Sequence, residues 1–373
     1  MPEARLIGAE IYRKSTYGPT HPLRIPRVST VLDLTRALGW LPPTAYVLSP
    51  RAKPKALEAW HTPDYIAALQ AAEREGEVSA AVKERHGLGT LSNPVFAEMY
   101  RRPATGAGGS ILAGELLISG GVVYSPAGGT HHGMPDRANG FCYLNDPALA
   151  ILSLRAHGVT RIAYVDIDAH HADGVEHGFS HDTNTLLISV HEEKRWPFTG
   201  KLGDRGSGNV WNVPVPRGFN DSEMAHILET VILPQLSAFR PEAIILQCGA
   251  DAVSEDPLSR LSLSNNAHWS VVAALRDLTS RFLVLGGGGY NPWSVGRLWT
   301  GVWATLNDID IPERLPEPGE AVLRDLSWSR YKGSRKPPAH WFTTLRDVPR
   351  PGPISEPVQK ACAALVARAQ AWI

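Results

Sequence analysis

The stretch RIAYVDID (161–168), continuing as AHHADG (169–174), decides how the chain is read. Its first half is a short apolar run, the pattern of a strand buried on both faces of a parallel sheet. Its second half is dense in carboxylates and imidazoles. Comparable runs stand on either side: GVVYS (121–125), TLLISV (185–190), AIILQCG (243–249) and RFLVLG (281–286). Between them lie the helical patterns DPALAILSLRAHG (146–158), DSEMAHILETVILPQLSAF (221–239) and NAHWSVVAALRDLTS (266–280). In the second, Met224, Ile227, Leu228, Val231 and Ile232 fall on one helix face. Gly158 stands where a left-handed cap would close the first. This alternation predicts an α/β domain with a mostly parallel central sheet, helices on both faces and right-handed crossovers.

No repeat or linker divides the 373 residues, so 1–373 is read as one domain. The last part, 311–373, is rich in Pro and Trp (SWSRYKG, KPPAHWF) and is expected to wrap the sheet. Hydrophobic residues make up 43% and charged residues 20%, enough to bury a sizeable core. Thirty-seven basic residues balance thirty-seven acidic ones, so no net field gathers nucleic acid or an anionic membrane. Cys142, Cys248 and Cys362 are odd in number and far apart, which fits a reducing compartment rather than a disulfide framework. The N-terminus MPEARLIGAE does not read as a signal peptide, and no stretch approaches the ~20 apolar residues of a membrane span. A cytoplasmic location is expected.

Open α/β sheets bind ligands at the carboxyl ends of their strands. After RIAYV come Asp166, Asp168, His170 and Asp173; alternation in an extended chain would turn 166, 168 and 170 to one face. AIILQCG leads to Asp251, GVVYSPAGG to His131 and His132, and RFLVL to four glycines and Tyr290. Singly, each has a plain explanation: a helix cap for an Asp, a hydrogen-bonded loop for the His pair, a tight turn for Gly286 to Gly289, a buried ring for Tyr290. Nor does Lys-Ser/Thr follow the glycines to make a phosphate loop. All four at one edge of one sheet instead describe a site.

Asp168, His170 and Asp251 can share one cation. Two carboxylates and an imidazole leave a tetrahedral Zn²⁺ with an open position, and the set also accepts Fe²⁺, Co²⁺ or Mn²⁺. An open position lets the ion acidify water and polarise a carbonyl. His131 and His132 would shuttle protons, and the Tyr290 hydroxyl would steady an oxyanion.

GGTHHG (128–133), NGFCYLND (139–146), YVDIDAHHADGVE (164–176), QCGADAVSEDP (247–257) and LGGGGYN (285–291) resemble, in order, the signature blocks of histone deacetylases and their bacterial acetoin-utilisation relatives. With THPLRIPRV (20–28) and HTPDYIAAL (61–69), the resemblance spans roughly residues 5–310. It implies an arginase-like fold with about eight strands and a zinc-dependent amidohydrolase that deacylates Nε-acyl-lysine. Asp168, His170 and Asp251 match the Zn²⁺ ligands, His132 the general base and acid, and His131 its electrostatic partner. Asp166 and Asp173 match the carboxylates that orient the two histidines. Tyr290 matches the donor to the scissile carbonyl, Gly140 and Phe141 one tunnel wall, and Arg27 an arginine of the acetate channel. Asp166, Asp168, His170, Ser189 and Val190 match a structural K⁺ site.

The arginase branch uses two metals, but here Asp173 lies five residues beyond Asp168 and Asp251 has no acid two residues away, which favours one metal. Two departures from the deacetylase pattern stand out. The aromatic facing Phe141 is expected at Trp196, with Phe198 the substitute. The rim acid that grips peptide backbone has no counterpart at Leu91, Ser92 or Asn93. The rival substrate is therefore an acetylated polyamine or other small acylated amine. The rival class is a silent acyl-lysine binding module, which would have no use for His132 and Tyr290. Cys142, read as a buried small hydrophobe, is given no nucleophilic task.

Overall fold

Strand formation at Ile162–Asp166 follows from five consecutive residues that are all buried. Ala163 and Val165 join the core on one face of the sheet, Ile162 and Tyr164 the core on the other. The computed structural model describes residues 4–329 and 336–370. Among these, eight strands form one sheet: β1 Arg5–Gly8, β2 Tyr46–Leu48, β3 Gly121–Ser125, β4 Ile162–Asp166, β5 Thr185–Glu192, β6 Val210–Val215, β7 Ala243–Gln247 and β8 Arg281–Leu285. The order across the sheet is β2-β1-β3-β8-β7-β4-β5-β6, and every pairing is parallel.

The five strands expected from apolar runs are β3, β4, β5, β7 and β8. The other three were not legible. β1 and β2 are four and three residues long, too short to show a period. VWNVPV in β6 is broken by Asn and Pro, tolerable because β6 is an edge strand. One helix also departs from expectation. Asp221–Phe239 is not continuous α-helix but Asp221–Ile227, a π turn over Leu228–Ile232, and Leu233–Phe239. Pro234 has no N–H to continue the ladder, and its ring crowds the carbonyl one turn back, so the helix widens there.

The register sets the site. Ser125, Leu285, Gln247, Asp166 and Ser189 lie in one row across β3, β8, β7, β4 and β5. The polar loops leave the sheet from that row.

The C-terminal part packs on the same body. Trp341 lies 5.5 Å from Trp293 of the helix Pro292–Leu306, and Val358, Cys362 and Leu365 of the helix Glu356–Gln370 are buried in the larger core. Of SWSRYKG (327–333), the residues beyond 329 lie outside the described ones. Arg297, fully buried, meets Asp347 at 2.6 Å and donates from Nε to the Thr344 carbonyl. Replacing Arg297 with Ala would strand a buried carboxylate, so stability should fall by about 3–5 kcal/mol. The urea midpoint reads this directly; a loss below about 1 kcal/mol would mean that Asp347 finds another partner or water.

Candidate active site

Four adjacent strands, β3, β8, β7 and β4, deliver the polar groups. The chain is not extended beyond Asp166, contrary to the expectation from alternation: β4 ends there, and 167–172 form irregular turns. Backbone donors fold this segment onto its own carboxylates. Asp168 N–H reaches Asp166 Oδ1 (3.1 Å) and His170 N–H reaches Asp168 Oδ1 (2.9 Å). Ala169 N–H donates to Asp251 Oδ1 (2.9 Å), drawing in the loop after β7.

His170 Nδ1 consequently lies 3.2 Å from Asp168 Oδ1 and 2.9 Å from Asp251 Oδ2. Among the described residues, this trio is the one cluster of His, Cys, Asp and Glu compact enough to hold a metal ion. Burial opposes charge on His170, yet Asp168 and Asp251 outweigh it and lift the imidazole to about 10. The two carboxylates that draw positive charge to this point would draw a cation in the same way. The backbone is shaped around it: a Cβ on Gly249 would sit 2.1 Å from Asp168 Oδ2, and one on Gly288 2.1 Å from Asp251 Oδ2. The donor set and its cradle fit one metal.

The two histidines behind the trio are each tied to a carboxylate. His131 Nδ1 pairs with Asp166 Oδ2 at 2.7 Å, and His132 Nδ1 with Asp173 Oδ1 at 2.6 Å. Their Nε2 atoms are 3.0 Å apart, room for one proton between them. Burial penalises both imidazoliums. For His131, Asp166 and Asp168 overcome that penalty and raise it to about 9. For His132, the neighbouring His131 charge adds to burial and holds it at about 4. The surrounding carboxylates thus favour a proton on His131 over one on His132.

Tyr290 leaves the glycine run with its N–H on Asp256 Oδ2 (2.7 Å) and its ring edge-on to Phe141 at 5.8 Å. Burial, then the Asp251 and Asp168 charges, push its phenol well above 10, so it stays protonated and able to donate. Gly140 and Phe141 have positive φ (51° and 69°). The Trp196 ring meets His132 edge-on at 4.6 Å, and a Cβ on Gly140 would lie 2.1 Å from its indole. Phe198 lies farther out, 69% exposed. His132, His170, Gly140, Phe141, Trp196, Phe198 and Tyr290 line one cleft of about 440 Å³, with Ser92 at its wall.

Arg27 is behind Tyr290, beside a small cavity of about 30 Å³. Its Nη1 donates to the Gly287 carbonyl at 2.6 Å, and its guanidinium lies 5.3 Å from the Trp299 ring. Ser189 stands opposite Asp166 in the sheet, with Val190 next along β5; the Ser189 hydroxyl is paired with His191 Nδ1 at 2.9 Å. Cys142 is buried and its thiol pushed above its ordinary value, so no thiolate forms there.

Three positioning residues were not singled out from sequence. Gln247 donates to Asp168 Oδ2 (2.9 Å) and to the Gly129 carbonyl (3.2 Å). Asp146 accepts from Gly129 N–H, Thr130 N–H and Ser110 Oγ, fixing the loop that carries the histidines. Asp256 holds Tyr290 as described. A polar residue inside or directly after an apolar run was the available signal for Gln247.

The profile of the histone deacetylase domain matches residues 21–306. The chain is 32% identical over 330 residues to the acetoin utilization protein AcuC of Bacillus subtilis, covering 85% of each. It is 34% identical over 310 residues to histone deacetylase 9 of Arabidopsis thaliana, covering 81% of this chain and 72% of that one. The crystal structure of an HDAC homologue from Aquifex aeolicus superposes with a TM-score of 0.92 at 34% identity, over 98% of this chain and 100% of that one. A structure of an HDAC homologue complexed with SAHA matches with the same score, identity and coverage.

Proposed function

The chain is a deacetylase of the histone deacetylase family, and from that premise we propose that it hydrolyses Nε-acyl-lysine side chains of proteins or peptides, with Asp168, His170 and Asp251 holding Zn²⁺. The observation that carries this reading is the meeting of the three ligands, the two carboxylate-tied histidines and Tyr290 around one cleft. The same donors would accept Fe²⁺ or Co²⁺.

An ion held there supplies polarisation of the acyl carbonyl and acidification of a water molecule. The protein's own groups do the rest. Gly140, Phe141 and Trp196 enclose the acyl-lysine stem and exclude bulk water. His132, kept neutral and aimed by Asp173, takes the proton from the attacking water. His131, charged and anchored by Asp166, stabilises the negative charge that develops nearby, and the Tyr290 hydroxyl donates to the carbonyl oxygen. As the C–N bond breaks, the proton held by His132 passes to the departing lysine nitrogen, giving acetate and a free amine. Arg27, beside the inner cavity, is placed to receive the carboxylate product. K⁺ held by Asp166, Asp168, His170, Ser189 and Val190 would brace the same loop. Three buried, unpaired thiols support a reducing, cytoplasmic setting, and no helix among the described residues is long and apolar enough to cross a membrane.

The test is a panel of acyl-lysine peptides and acetylputrescine assayed with and without a chelator. Release of acetate from the peptides, lost on chelation and restored by Zn²⁺, is the expected outcome. Turnover of acetylputrescine alone would move the assignment to small acylated amines, and tight peptide binding without turnover would move it to a binding module.

A further inference from the structure

A second cavity, of about 770 Å³, adjoins the mouth of the active-site cleft and shares Lys194 and Phe198 with it. One wall is the segment 193–202 that follows β5; the other is the helix Glu356–Gln370. Its floor is apolar, with Leu202, Ala364 and the exposed Phe198 ring, and Lys194, Lys201 and Lys360 stand along it against a single acid, Glu193. Lys201 makes no ion pair among the described residues. Lys194 and Lys360 face Glu193 (3.5 Å) and Glu356 (2.6 Å), both exposed pairs of the kind that exchange partners at little cost. Arg195, at the cleft mouth, is already matched by Glu192 and offers no free charge. None of the residues lining the cleft is acidic.

Backbone strain marks the shared wall. Five non-glycine residues among those described have positive φ, and three of them, Phe141, Lys194 and Phe198, line the cleft. Side chains held this way usually serve a site.

Resting on the acyl-lysine reading above, the geometry points to this cavity as the seat of the substrate polypeptide beside the acylated lysine, selecting flanks that carry an apolar side chain and a carboxylate. Continuity with the cleft puts the cavity within reach of residues next to the modified lysine. Its lysines pair with acidic flanks and repel polyamines and basic tails, and the helix Glu356–Gln370 becomes part of the substrate surface. This also supplies a grip where the rim at Leu91, Ser92 and Asn93 has no acid.

The experiment compares kcat/KM on three probes: capped acetyl-lysine amide, an acetyl-lysine peptide flanked by Leu and Glu, and its isomer with Lys in place of Glu. The acidic peptide should exceed the basic one by roughly tenfold, mainly through KM. Normalised to the capped amide, Lys201→Glu should cut that preference to about threefold or less, and Ala364→Trp, which fills the floor, should remove most of the gain over the capped amide. Raising salt to about 0.5 M should shrink the acidic preference in the wild type. Equal kcat/KM on the two peptides, or a preference unmoved by both variants, would overturn the cavity's role while hydrolysis of the capped amide left the deacylase reading standing. Failure to hydrolyse any of the three would remove both.

Discussion

Tyr290→Phe should keep its metal and its fold and lose roughly 10²–10³-fold in kcat, the range for removing one donor to a developing oxyanion. The reason is in how the phenol is held. Its backbone N–H is fixed on Asp256 and its ring rests edge-on against Phe141, and Phe reproduces both contacts. Only the hydroxyl is lost. Burial, the largest cause, holds that phenol well above its ordinary value, so the hydroxyl is present as a donor at neutral pH. Because the bond strengthens as charge develops, the loss should appear in kcat with KM nearly unchanged. Metal content and thermal unfolding should match the wild type. A kcat within about threefold of the wild type would take the oxyanion role away from Tyr290.

The strand exits that carry these polar groups were readable because buried parallel strands are apolar from end to end. Against RIAYV or AIIL, the acids and imidazoles that follow stand out at once. The register could not be read: nothing in those runs says that Ser125, Leu285, Gln247 and Asp166 share a row, and this row makes the four exits neighbours. Alternation singled out 168 and 170 together, but an extended chain is not what brings them side by side. They converge because backbone N–H groups fold the loop back on Asp166 and Asp168, and hydrogen bonds of that kind have no period. The short edge strands β1 and β2 were invisible for lack of length. Trp196 was expected as the aromatic facing Phe141, but its position against His132 depends on Gly140 lacking a side chain, a contact between residues fifty-six apart.

Removing the metal should cost more than any single side chain. Chelation should take acetate release to background, lower the unfolding temperature, and be reversed by one equivalent of Zn²⁺ per chain. At ligand a thousandfold above Kd, the bound ion would stabilise the fold by about 4 kcal/mol. Asp251→Asn keeps an acceptor for the Ala169 N–H but removes the charge 2.9 Å from His170, so it should lose metal and activity together. A purely structural Asp251 would lose stability without losing metal, and Asn alone separates the two poorly. Gly288→Ala separates them better. Gly288 is not among the glycines with positive φ, so Ala meets no left-handed penalty there, and no charge changes. Its Cβ would nonetheless fall 2.1 Å from Asp251 Oδ2 and 2.9 Å from Asp168 Oδ2, forcing the two carboxylates to shift. Metal affinity should fall by at least tenfold to a hundredfold, the usual penalty for disturbing groups that hold the ligands. Activity should recover at saturating Zn²⁺. Wild-type affinity in Gly288→Ala, measured by competition with a chelator, would mean that these three residues do not hold the ion.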